Sequence, residues 1–414
     1  MSSPTTGTSA SVRDTARRPA LTVLSGFWQP ATYAVARTLL AAEPALRLIR
    51  HDLTDLRDGR VRRIVRTGRD VLEDVTVRLR HGCLSCTLRE DVLPTLARLA
   101  ADAPDRDLLL MLPDIVEPEA VADACTPLAD LLRIDSFVTV VDTDNLLAGL
   151  ASADDLVTLG IHAAEDDDRA LADVIVRQVE YADTVVSWGD CEAGAFDTAQ
   201  ARTLLQRLAP WAAHVHVGGD DPVDATGLGG RLLRTRRHRP ETPGVLARGI
   251  EGYPLGAFEG THECDVVSVT FRSRRPFHPQ RLADALDDVN EEMLRSRGHL
   301  WLASQPETVV AWDFAGGGLG LGSLGRWLAA TPDEYWDDAS DQRRIAAALD
   351  WDPYYGDRGQ HLVLIGIDPD AARVRRTLRS CLLTDAELAD GEDVWRTYPD
   401  PFAGSFPLAD PEGA

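Results

Sequence analysis

The chain of 414 residues has no lysine: all 43 of its basic residues are arginine. Any site that depends on a lysine ammonium is therefore excluded, while the abundance of arginine and alanine accounts for the deficit as a whole. No apolar run reaches the roughly 18 residues that a membrane-spanning helix needs. Residues 2–19 are rich in Ser, Thr and Arg but lack an apolar core, which predicts a disordered tail rather than a signal peptide. Cysteine is sparse, with six residues at 83, 86, 125, 191, 264 and 381. Only the first two are closely spaced, a reducing, cytoplasmic profile. Excess positive charge is missing too. The net charge of −23 repels polyanions and argues against membrane adhesion or general nucleic-acid binding.

What is present fits a globular α/β protein: 44% hydrophobic residues, 32 glycines and 24 prolines, in a length sufficient for two cores. The pattern predicts a tail over 1–19, a first domain over 20–218, a linker over 219–262, a second domain over 263–390 and an acidic, proline-containing tail over 391–414. In the first domain short apolar runs alternate with amphipathic stretches, as in a mostly parallel sheet with helices on both faces. Strands are expected at Leu21–Leu24, Leu46–Asp52, Asp107–Leu112, Phe137–Val141, Thr184–Ser187 and His214–Val217. Helices are expected near Ala31–Leu40, Arg89–Ala100, Glu117–Ala124, Ala170–Tyr181 and Thr198–Leu208. The smaller second domain reads as α+β. Its expected strands are Asp265–Arg272, His299–Leu302, Thr308–Phe314 and His361–Ile367, with helices at Pro279–Arg295 and Pro369–Cys381.

The first strand runs into Ser25-Gly26-Phe27-Trp28-Gln29-Pro30-Ala31-Thr32-Tyr33 and then a helical stretch. This is the place of a phosphate-binding loop of the form G-x-x-x-x-G-K-[ST]. There, backbone amides wrap the phosphates, lysine reaches the terminal oxygens and a hydroxyl holds magnesium. Gly26 stands, but Ala31, Thr32 and Tyr33 occupy the second glycine, lysine and hydroxyl positions. The strand–loop–helix shape is expected to persist without its phosphate chemistry.

The strongest local motif is His81-Gly82-Cys83-Leu84-Ser85-Cys86-Thr87-Leu88-Arg89-Glu90-Asp91. On it the chain resembles the CobW-type P-loop GTPases, a family linked to zinc and cobalt delivery. Their G-C-x-C-C-[TS]-x-R-x-[DE] element supplies thiolates to the metal. Cys83 and Cys86 are the candidate metal ligands, with His81 nearest, but Ser85 replaces the middle cysteine. Two thiolates do not complete a tetrahedral zinc site, so zinc as a cofactor needs further ligands. Other landmarks follow in order. Met111-Leu112-Pro113-Asp114 falls at the family's E-x-x-G position. Phe137–Asp142 matches the strand that ends in V-D-A. Gln178, Ala182, Asp183 and Asp190 match the guanine-recognition region, where Ser187 and Trp188 replace Asn and Lys. The resemblance therefore implies a degenerate nucleotide site carried by Gly26, Asp142 and Asp190, with binding of GTP and magnesium doubtful and hydrolysis weak or absent.

From about 265 to 390 the chain is similar to the CobW C-terminal domain, with fewer departures: Arg275–Leu282, Arg295–Ala303, Gly356–Gly366 and Cys381–Glu387 match its landmarks. Phe271–Leu282, Ala315–Leu319 and Tyr398–Phe402 are similar to an actinobacterial subgroup that recruits a ribosome hibernation factor when zinc is short. That resemblance implies the ribosome or its hibernation factor as partner; zinc delivery to a client protein is the alternative. Two arginine clusters, Arg231–Arg239 and Arg272–Arg281, are the places where so acidic a chain would contact phosphates.

Overall fold

The computed structural model describes residues 18–164, 167–219, 223–256 and 262–407. The expected tail before residue 18 and the end of the acidic tail lie outside them. Eight strands form the first sheet: β1 (Ala20–Ser25), β2 (Arg47–Asp52), β3 (Arg60–Arg66), β4 (Val71–Arg78), β5 (Leu108–Met111), β6 (Arg133–Asp142), β7 (Thr184–Trp188) and β8 (Ala213–Val217). Their order is β4-β3-β2-β5-β1-β6-β7-β8, with β2, β5, β1, β6, β7 and β8 parallel. The central strands β1 (ALTVLS) and β5 (LLLM) are buried along their whole length, as continuous apolar strands covered on both faces must be.

Eight helices accompany this sheet: α1 (Gln29–Ala42), α2 (Leu84–Thr87), α3 (Leu93–Asp102), α4 (Pro118–Cys125), α5 (Leu146–Ala151), α6 (Leu171–Tyr181), α7 (Ala195–Leu208) and α8 (Ala225–Leu232). In α1, Ala31, Val35 and Leu39 alternate with Thr32, Ala36 and Leu40 to give the stripe that packs on β1, β2, β5 and β6. Leu228 and Leu232 of α8 join the same core, and Gly229 lets the two helices approach closely, since a Cβ there would lie 3.0 Å from Ala42 Cβ. Residues read from sequence as linker thus contain a core helix. The hairpin β3–β4 is likewise an addition to the expected strands. Both of its faces are charged, with Arg62 forked onto Asp74 (2.7 and 2.7 Å) and Arg63 paired with Glu73 at 3.2 Å, so no apolar alternation marks it.

The second sheet is antiparallel, in the order β13-β12-β11-β14-β10-β9. Its strands are β9 (His262–Glu263), β10 (Val266–Ser273), β11 (Met293–Leu300), β12 (Thr308–Ala315), β13 (Gly318–Arg326) and β14 (Gln360–Ile367). Helices α9 (Pro279–Asn290) and α11 (Ala371–Ser380) cover one face; α10 (Asp341–Leu349) lies between β13 and β14 in the chain, and α12 (Asp385–Asp390) and α13 (Glu392–Trp395) follow α11. The expected helix Pro279–Arg295 ends at Asn290, and Arg295 belongs to β11. The reason is burial of charge: Arg295 and Arg297 point from β11 onto a buried carboxylate, so the strand looks like a polar helix end.

That carboxylate is Glu180, at the end of α6 and 0% exposed. It accepts from Arg295 Nε at 2.7 Å and Arg295 Nη2 at 2.8 Å, and it also pairs with Arg297. Arg295 in turn pairs with Asp313 of β12, which meets Arg177 of α6. Burial alone would raise the Glu180 carboxyl, but Arg295 and Arg297 hold it below the ordinary carboxylate range. Burial lowers the Arg297 guanidinium to about 10. Around this charged seam, Ile175 and Val179 of α6 share a core with Val266, Val363 and Ile365 of the second sheet.

Candidate functional site

In an open parallel sheet, ligands bind beyond the carboxyl ends of the strands. Gly26 follows β1, Asp142 closes β6 and Asp190 follows β7, so all three candidates lie along that edge, on adjacent strands. Their local chemistry differs from that of a nucleotide site. Helix α1 already starts at Gln29, with Pro30 in its first turn. The Thr32 amide donates to Trp28 O at 3.1 Å, an intrahelical bond, and Pro30 has no amide hydrogen. Thr32 is 0% exposed, and its hydroxyl donates back to Trp28 O at 3.1 Å. The short connection is filled by Phe27 and Trp28, whose rings meet edge to face at 5.6 Å. A Cβ on Gly26 would lie 2.4 Å from both Thr32 Oγ1 and Val140 O, so this glycine is required by packing.

Asp142 accepts from the Asn145 amide at 3.3 Å and so shapes the turn after β6. Asp190 is engaged on both oxygens, by His216 Nε2 at 3.0 Å and by the Gly219 amide at 2.9 Å. The Gly219 amide first, with His216 beside it, holds the carboxyl below its ordinary value. His216 Nδ1 also lies 3.0 Å from Ser187 Oγ. An imidazole thus links the two positions that would read a guanine edge.

A cleft of about 760 Å³ opens on the same side of the sheet, displaced toward β2, and none of the three candidates lines it. Arg50, Asp52, Arg57, Asp114 and His162 form its polar wall. Burial pushes the Asp114 carboxyl up, whereas hydrogen bonds from Thr54 hold the Asp52 carboxyl down. Sequence reasoning passed over most of these residues because they sit in separate loops, each without a spacing signature. Tyr33 reaches the cleft with its ring 5.5 Å from the Arg50 guanidinium and its hydroxyl accepting from Arg66 at 3.3 Å.

The cysteine motif does converge. Cys83 caps α2, its sulfur accepting from the Cys86 amide at 3.4 Å, and Cys86 Sγ lies 3.6 Å from His81 Nδ1. The Cys83 contact and burial raise the Cys86 thiol, which favours the protonated form. Among the described residues no group of three or more His, Cys, Asp or Glu side chains is arranged to hold a metal ion. The flanking motif residues are architectural. Gly82 passes so close to the turn Leu56–Asp58 before β3 that a Cβ would stand 2.1 Å from Leu56 O. Asp91, 3% exposed, accepts from His51 on β2 at 2.8 Å and from Arg63 on β3.

The arginine clusters are partly neutralised, the second more than the first. Arg234 is ion-paired with Asp107 at 2.6 Å and Glu43 at 3.2 Å, and Arg237 donates to the Thr184 hydroxyl at 2.9 Å. In the second cluster Arg274 pairs with Asp350, Arg275 with Asp385 and Arg281 with Glu387. Within Arg231–Arg239, Arg231, Arg236, Arg237 and Arg239 are exposed and form no ion pair among the described residues.

This geometry, a parallel sheet whose first strand runs through Gly26 into a helix and a Cys-x-x-Cys loop, followed by an antiparallel domain, defines a class. Residues 59–213 match the CobW/HypB/UreG nucleotide-binding domain and residues 266–382 the cobalamin synthesis protein cobW C-terminal domain. A zinc chaperone of Mycobacterium tuberculosis is 33% identical over 362 residues, covering 83% of this chain and 84% of that protein. The chain belongs to the CobW family. The zinc-regulated GTPase metalloprotein activator 1 of Dictyostelium discoideum is 29% identical over 354 residues, 79% of this chain and 70% of that protein. The crystal structure of the zinc-bound YjiA GTPase of E. coli aligns over 88% of this chain and 99% of its own, at 14% identity and a TM-score of 0.35. No helix among the described residues is long and apolar enough to cross a membrane.

Proposed function

We propose that this CobW-family protein works by contact rather than by GTP turnover, recruiting a ribosome hibernation factor when zinc is limiting. The supporting observation is the early start of α1. With Gln29–Thr32 wound into helix, Pro30 offers no amide hydrogen, the Thr32 amide is bonded to Trp28 O, and the lysine and hydroxyl positions hold Thr32 and Tyr33. The Asp190–His216–Ser187 chain supports the same reading at the base-recognition end. The contact runs through a protein partner, since the chain carries −23 charges and three of the four arginines in Arg272–Arg281 are already paired. Titration with labelled GTP and magnesium should give neither low-micromolar binding nor turnover, and the protein should co-sediment with ribosomes from zinc-starved cells. Turnover of GTP together with absence from every ribosomal fraction would overturn the reading.

A second reading, zinc delivery to a client protein, draws support from the names of the two relatives and from His81, Cys83 and Cys86. Zinc would then be cargo held by two thiolates and an imidazole, and the client would have to complete the tetrahedron.

A further inference from the structure

Four arginines that form no ion pair among the described residues gather in one cavity. It has a volume of about 570 Å³ and lies where β7 and β8 begin, at the opposite end of the parallel sheet from Gly26, Asp142 and Asp190. Arg236, Arg237, Arg239 and Arg248 line it, against a single carboxylate, Asp183. That carboxylate is engaged elsewhere, accepting from the Phe137 amide at 2.8 Å with His238 at 3.6 Å. In a chain with a net charge of −23, such a local excess of arginine runs against the composition.

Two further observations mark the cavity as built. Arg248 is only 5% exposed, and its guanidinium lies 4.1 Å above the ring of Trp211, another lining residue. Its Nε has no hydrogen-bond partner, and the guanidinium forms no ion pair among the described residues. Among the described residues no carboxylate reaches this guanidinium at ion-pair distance; burial lowers its pKa, and Glu180 and Glu119 act on it only through space. The loop that supplies the other arginines is also strained. Arg234 and Arg236 both take left-handed backbone angles, φ 57° and φ 54°. Asp135, 0% exposed, holds them there by accepting from the Thr235 amide at 2.8 Å and the Arg236 amide at 3.0 Å. Strain of this kind persists only where the surroundings over-determine it, and it concentrates at binding sites. Here it turns Arg234 away to Asp107 and leaves Arg236 and Arg239 at the cavity.

We propose that this cavity binds a small phosphate-bearing molecule, with a phosphoryl group held between Arg248 and the guanidinium groups of Arg236 and Arg239. Planar guanidinium forks match phosphate oxygens, and several of them together favour a multiply charged group over a single carboxylate. The volume suits a small ligand, and Trp211 offers an apolar wall. The same chemistry is presented by an RNA backbone, but the acidic surface around the cavity favours the free molecule.

The test uses the full chain and two probes, inorganic pyrophosphate and a single-stranded RNA oligonucleotide, titrated by calorimetry. Arg236→Ala and Arg239→Ala remove exposed side chains with little effect on folding, and Arg248→Met removes the buried charge while keeping length over Trp211. Pyrophosphate should bind saturably at one site, each surface variant should weaken it about tenfold, and Arg248→Met should abolish it. Pyrophosphate binding that is absent, or that both surface variants leave unchanged, overturns the proposal. So does RNA binding tighter than pyrophosphate and lost in the same variants, which would assign the cavity to nucleic acid.

Discussion

Replacing Glu180 with leucine should expose how much the two halves of the molecule depend on their buried charges. The substitution leaves Arg295 and Arg297, 1% exposed each, with Asp313 as the remaining carboxylate in contact with Arg295. Breaking a buried pair by removing one partner costs about 3–5 kcal/mol, because the stranded charge is no longer solvated. Unfolding entropy of roughly 2 cal/mol/K per residue gives about 0.9 kcal/mol/K for the 414-residue chain melting as one unit. The expected fall in Tm is therefore roughly 3–6 °C. The sign of the pH dependence follows from the depressed Glu180 carboxyl. Its contribution is fully present above the unfolded value of 4.5 and is lost as pH falls through the lower folded value. Thermal melts followed by circular dichroism from pH 8 down to pH 3 measure both effects. The gap between wild type and Glu180→Leu should be widest at neutral pH and close in acid. A Tm unchanged at pH 7, or a gap that persists undiminished in acid, refutes the reasoning.

His299 and His361 face each other across β11 and β14 with ring centroids 5.9 Å apart. Burial first, then His361, Arg343 and Arg272, lowers His299 to about 3, and burial with Arg272 lowers His361 to about 4. Both are neutral when folded and take up protons on unfolding below 6.5. Stability should thus fall as pH drops from 6.5 toward 4, and His299→Gln should flatten that slope by about 1.4 kcal/mol per pH unit in urea melts. An unaltered slope would show that the histidine is already charged in the fold. For the cysteine loop, Ser85→Cys adds a third thiol to Cys83 and Cys86. Zinc affinity measured by competition with a chelator dye should rise at least tenfold, and more steeply with pH, if this loop handles metal. No change would remove the zinc-delivery reading.

The parallel strands were legible because β1, β5, β6 and β7 carry short runs rich in Val, Leu and Phe, and α1 and α6 carry a clear helical stripe. The hairpin β3–β4 and strand β11 were not, because their inward or cross-strand partners are charges, and an arginine that finds a buried glutamate looks polar in sequence. The cysteine loop stood out by its Cys83–Cys86 spacing, and in the fold His81 lies beside Cys86. The roles of Gly82 and Asp91 were legible only from the backbone passing Leu56 and from His51. The arginine cavity was half visible: the run at 231–239 stood out, but Trp211 and Arg248 come from other segments. Nothing in the run tells which arginines face Asp107 and which face the cavity.

The early start of α1 also works as a ratchet. Thr32, where a phosphate-binding loop carries its lysine, now lies 0% exposed on the core side of a helix, its hydroxyl bonded to Trp28 O. A lysine introduced there would meet Leu24, Val138 and Val140 in the same core rather than a ligand. Reversal would require unwinding Gln29–Thr32, clearing Phe27 and Trp28 and supplying a hydroxyl at Tyr33 at once. Each of those changes alone disturbs packing without restoring a phosphate contact. Several changes would therefore have to come together before a phosphate could be cradled beside Gly26.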